Sequence, residues 1–178
     1  DFDPDLLDEV LRLIRDCYGS AEKSVYFLEV NAGVSAINSG IANQRDCLSH
    51  LVTLLKNPEF TPLQKREQID GMREHLRRAV LEPPVLAVNK LWEGYGEVKK
   101  QYVSVVLTLP QFDSELPGCP SLEIVDQKEA AILRLRERAR AGKGENRWDA
   151  TWEVACADAV EAFRLLSALK QELEKYIA

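Results

Sequence analysis

Apolar positions recur at helical spacing along almost the whole chain, and no two alternating runs exist to pair as a sheet. Leu7, Val10, Leu11, Ile14 and Tyr18 mark a helix over residues 5–18, and Gly19 stands where such a helix would stop. Asp1, Asp3, Asp5, Asp8 and Glu9 crowd its start, where free helix amides favour negative charge, and Pro4 suits the first turn. Phe27, Val30, Val34, Ile37, Ile41, Leu48, Leu51 and Leu55 then follow a heptad rhythm that only Gln44 interrupts. This seam predicts a single helix of about 50 Å, from beyond Ser20 to near Asn57-Pro58. Gly33, Ala36, Ser39, Gly40 and Ala42 thin its middle. Each glycine costs about 1 kcal/mol of helix propensity, which close approach by a neighbouring helix would offset. Gln44 reads as a residue facing water beside an irregularity, with a register device as the alternative.

Thr61-Pro62-Leu63-Gln64 is a capping box with proline at the first helical position. Ile69, Met72, Leu76 and Val80 give the helix one face up to Glu82, where Pro83-Pro84 should break or kink it. The face resumes with Val88, Leu91, Tyr95, Val98, Tyr102, Val105 and Leu109, so two bent or coaxial segments are expected over about 62–82 and 84–108. Three prolines and a Pro-Gly step make residues 110–121 a loop. Ser121 caps a helix to about residue 141, and Asn146 caps a final one. That last helix has the most regular seam: Trp148, Trp152, Ala155, Ala159, Ala162, Leu166, Leu169, Leu173 and Tyr176. The expected fold is therefore all-α, an elongated and mostly antiparallel bundle of four to six helices. Two of them are long, and one of these is broken at Pro83-Pro84.

Composition narrows the classes. The 178 residues are 46% hydrophobic and 29% charged, which suits one globular domain spanning residues 1–178 and excludes collagen-like or disordered chains. No apolar run reaches the roughly 18–20 residues of a membrane span. The net charge of −6 weighs against a dedicated nucleic-acid binder. The chain opens at Asp1 with no signal peptide, as a domain excised from a larger protein would. Cys17, Cys47, Cys119 and Cys156 are widely spaced and no glycosylation sequon occurs, so reduced thiols in the cytoplasm are expected.

The search for chemistry returns little. Neither phosphate-binding loop motif is present, and Gly33-Val34-Ser35 lacks the second glycine of a nucleophile elbow. Cys47 and His50 would share a helix face, but no second ligand pair supports zinc, so neither metal nor cofactor is expected. A thiol–imidazole nucleophile at that pair would lack an orienting partner. The densest feature is basic: Arg134, Arg136, Arg138, Arg140, Lys143 and Arg147. Arginines two apart on a helix point about 200° apart, so they wrap the cylinder instead of lining one face. They are candidates for docking an acidic protein surface, the chain's own residues 1–9 or 113–115 included. Trp148 and Trp152 beside them raise a nucleic-acid reading. The proline break, with Trp92, Tyr95 and Tyr102 downstream, is a candidate small-molecule pocket. The leading expectation is a non-enzymatic protein-interaction or regulatory domain, by partner docking or self-association. A ligand-sensing bundle and a nucleic-acid-associated subunit are the alternatives.

Overall fold

A computed structural model describes residues 4–32, 38–108, 118–142 and 150–177. Every regular element among them is helical: α1 (Pro4–Leu13), a π-helical turn (Ile14–Tyr18), α2 (Gly19–Ala32), α3 (Asn38–Lys56), α4 (Pro62–Thr108), α5 (Leu122–Gly142) and α6 (Ala150–Glu174). The fold is an all-α bundle built on α4, whose 47 residues run about 70 Å.

Local signals explain the helix starts. Thr61 and Gln64 close the capping box in both directions, Thr61 N–H to Gln64 Oε1 at 2.9 Å and Gln64 N–H to Thr61 Oγ1 at 3.3 Å. Ser121 Oγ accepts from Ile124 N–H at 3.3 Å. The β-branched stretch before Leu109 is helical through Thr108.

Three expectations need correction. Gly19 does not end the first helix. Its backbone is right-handed helical (φ −63°, ψ −34°), and the chain passes through the π turn straight into α2. The long heptad helix is two helices, and the chain reverses between them. Gly40 of α3 faces Val25 of α2, which a straight helix would hold about 22 Å away. Finally, Pro83 and Pro84 lie buried inside an unbroken α4. They interrupt its hydrogen-bond ladder without ending the helix, because the fixed proline φ is itself helical. Pro84 leaves the Val80 carbonyl without its usual donor, and the Cys156 thiol of α6 approaches that oxygen at 3.9 Å.

Contacts along α4 define two three-helix halves. In the N-terminal half, α1 and α2 run alongside α4 (Glu9 to Arg66 and Arg73, Leu28 to Ala87), while α3 runs antiparallel (Asn43 to Glu82, His50 to Gln68). In the C-terminal half, α5 is antiparallel to α4 (Glu129 to Tyr95, Arg136 to Asn89), and α6 runs alongside it to Tyr176 against Tyr102. The halves meet where Phe27 of α2 packs edge-on against Phe163 of α6, centroids 5.2 Å apart, over Leu28 and Ala87. The final seam is as expected from Ala155 onward: Ala155, Ala159, Ala162, Leu166, Leu169 and Leu173 are all buried. Its alanines sit at the crowded junction and its leucines in the wider C-terminal half. Asn146 and Trp148 fall outside the described residues, as does the side chain of Trp152.

Candidate functional site

The basic segment does not form one surface. Arg136 turns inward, donating to Asn89 Oδ1 at 3.0 Å and lying 5.4 Å over the Trp92 ring. Arg138 makes a two-pronged pair with Asp158 of α6 at 2.8 and 2.9 Å. Arg134 and Arg140 are exposed and make no ion pair among the described residues, while Lys143 and Arg147 lie outside them. Among the described residues, the acid that meets this segment is Asp158. Glu9, from the acidic N-terminal stretch, instead accepts Arg66 and Arg73. Residues 113–115 are outside the described residues.

The three aromatic candidates do not line a pocket at the prolines. Tyr95 and Tyr102 are core residues of the C-terminal half, and Trp92 is half-buried beneath Arg136. The Tyr95 hydroxyl donates to Glu129, and Tyr102 donates to the Pro120 carbonyl. Burial, chiefly, pushes both phenols well above their ordinary range. A groove of about 490 Å³ reaches α4 at Val80, a turn before the prolines, and is lined by Ser20, Ser24, Val80, Cys156 and Val160 among others. It lies between α2 and α6, where sequence spacing gives no hint of a cleft.

Cys17 and Cys47 are poor nucleophiles. Burial pushes Cys17 up to about 12 and Cys47 up to about 11, and both are core contacts among Leu54, Ile69 and Met72. No group of three or more His, Cys, Asp or Glu side chains suited to a metal occurs among the described residues.

What sequence spacing misplaced is the face of α3. Its inward residues are Gly40, Asn43, Cys47, His50 and Leu54, only one of them a large aliphatic. Its outward residues are Ile41, Leu48, Val52 and Leu55, which are 52, 45, 46 and 58% exposed. At 100° per residue these four fall within about 60° of one another, so they form a continuous stripe. Gln44, beside the stripe, is half-exposed. The inner side of α3 thus mixes the polar Asn43 and His50 with Cys47 and Leu54, while four of its large aliphatics face solvent among Arg45, Ser49 and Lys56.

The polar side is fully paired. Asn43 Nδ2 donates to Glu82 Oε2 at 3.3 Å, and Asn43 Oδ1 faces His75 Nδ1 at 3.2 Å. The His75 and His50 rings lie 5.3 Å apart and 31° from parallel, and His50 Nδ1 faces Gln68 Oε1 at 2.9 Å. An amide oxygen only accepts, so the neutral tautomer that fits these contacts donates from Nδ1. Burial and the neighbouring His50 hold the His75 pKa below its ordinary value. Small residues allow this closeness. A Cβ on Gly71 would sit 2.6 Å from His50 Cε1, and one on Gly40 would sit 2.5 Å from Val25 Cγ2.

Comparison with protein-family models, curated proteins and solved structures returns no match to this chain. No helix among the described residues is long and apolar enough to cross a membrane.

Proposed function

We propose that the chain is a non-enzymatic protein-interaction domain that docks an apolar helix face on α3, and that the face it fits is α3 of a second copy. The observation carrying this reading is the stripe of Ile41, Leu48, Val52 and Leu55, apolar and exposed along the outer face of α3. Patches of a few hundred Å² of this kind mark interaction sites. The stripe complements itself. Antiparallel pairing about Leu48 sets Leu48 on its counterpart and Ile41 on Leu55, and neither Arg45 nor Lys56 then faces another cation. The Arg45 charge is already met by Asp46 at 3.0 Å, which favours a neutral helix over an acidic partner. Contact through α3 alone falls short of the roughly 800 Å² per partner of a standard interface, so the dimer is weak and reversible. The unpaired cysteines suit a reducing, cytoplasmic setting for it.

Sedimentation across the micromolar range and above tests this. The intact chain should shift from monomer to dimer with concentration, and Leu48→Glu should remain monomeric with unchanged helix content. Leu107→Glu, at an exposed leucine near the far end of α4, should still dimerise. A chain that stays monomeric throughout, or that dimerises equally with Leu48→Glu, overturns the reading.

A further inference from the structure

We propose that His50 and His75 form an acid-sensitive clasp, which holds α3 on α4 while both rings are neutral and loosens α3 when they are protonated. The inference concerns the inner side of α3 and does not depend on what covers its outer side. Geometry carries it. The two rings lie nearly stacked at 5.3 Å, on facing helices, so charge on both sets two cations against each other inside the bundle. Each Nδ1 already holds a proton against an amide oxygen, so the incoming proton must go to Nε2. His50 Nε2 lies 2.8 Å from where a Cβ on residue 71 would stand, so the backbone of α4 blocks retreat of the ring.

The charged neighbours only partly offset the cost of a cation at His75. On α3, Asp46 favours a cation at His75, but it is engaged by Arg45. On α4, Glu74 favours it too, yet Glu74 is shared by Arg77 and Arg78, and Arg78 itself disfavours it. Glu82 meets the amide of Asn43, and the Asn43 oxygen faces His75 Nδ1. His75 therefore takes up its proton less readily folded than unfolded. The unfolded chain binds more protons just below the ordinary histidine pKa of about 6.5, so stability is complete above that pH and declines as pH falls through it.

The two histidines are the only ones in the chain, which makes the test direct. Amide hydrogen exchange on the intact protein, corrected for intrinsic rates, should show protection in α3 falling several-fold between pH 7 and pH 5. Protection of Leu166–Leu173 in α6 should hardly change. His50→Gln with His75→Gln should flatten the α3 response. Equal loss in α3 and α6, or an undiminished response in the double variant, overturns the clasp. Should that variant not fold, proton NMR titration of the two native imidazoles decides. A ring titrating below the ordinary value supports the clasp, and two independent titrations at that value overturn it.

Discussion

The two halves of the bundle share one means of packing and differ in a second. The C-terminal half is closed by large side chains: Tyr95, Tyr102, Ile132, Leu166, Leu169 and Leu173, with Lys99, Asp126 and Glu129 bridging its rim. The N-terminal half buries hydrocarbon too, with Leu13, Leu54, Ile69, Met72, Leu76 and Leu81 in its core, but it also brings helices into close approach at Gly40 and Gly71 and leaves Ile41, Leu48, Val52 and Leu55 of α3 outside. Both halves are stabilised by buried hydrocarbon, and the N-terminal half adds glycine contacts and a polar seam at Asn43, His50 and His75. Hydrocarbon burial is insensitive to pH and tolerant of small changes of shape. Close approach through glycine tolerates almost nothing, and a histidine seam responds to protons.

Cavity formation should show the contrast at its largest. Leu166 is fully buried, and Leu166→Ala should cost about 2–5 kcal/mol by denaturant unfolding. Cys47→Ala removes a single buried sulfur from a seam that is already narrow, and should cost about 1 kcal/mol. Equal losses would mean that the single Cys47 sulfur in the narrow seam matters as much as a whole buried leucine side chain.

The same contrast decides what was legible in the chain. Caps are local chemistry, so the Thr61–Gln64 box and the Ser121 cap could be read directly, as could the leucine seam of α6. Periodicity also reveals that α3 has two unlike faces. It does not say which is inside, because the rule that large aliphatics are buried fails where helices approach through small residues. The informative signal was the second rhythm, Gly40, Asn43, Cys47, His50 and Leu54, small and polar at the same helical spacing. The reversal between α2 and α3 was hidden for a related reason. The apolar heptad runs on across it, and only tertiary contacts such as Gly40 with Val25 expose the turn. The π turn before Gly19 gave no compositional sign at all. Nor could spacing show that Arg136 and Arg138 are held by Asn89 and Asp158, since those partners lie 47 and 20 residues away.

A smaller effect should come from adding one carbon where the helices touch. Gly40→Ala puts a Cβ 2.5 Å from Val25 Cγ2, a short side chain with little room to turn, and Gly71→Ala puts one 2.6 Å from the His50 ring. Each gains helix propensity but must push α2 or α3 outward, and overpacking of this kind costs about 1–3 kcal/mol. Both should unfold at lower denaturant, and Gly71→Ala should also detach His50 from Gln68. A neutral outcome at both sites would show that the close approach is incidental.

The smallest expected change reverses the sign. Gly94 and Gly96 are also glycines inside α4, in the C-terminal half, and neither has a positive φ. A Cβ at Gly96 would meet nothing within 4 Å, and one at Gly94 would touch only Lys170 Cε at an ordinary 3.8 Å. Nothing there requires the absent side chain, so alanine should act through the backbone alone, narrowing the unfolded ensemble without disturbing a contact. Gly96→Ala should therefore stabilise by about 0.5–1 kcal/mol, the ordinary glycine penalty of a helix interior. Chemical denaturation should show a raised midpoint with an unchanged slope, because the surface exposed on unfolding is the same. The same one-carbon substitution, in the same helix, then destabilises at residue 71 and stabilises at residue 96. A loss of stability at Gly96 would mean that the C-terminal half has a neighbour against that face of α4, and the confinement of glycine-mediated close approach to the N-terminal half would fail.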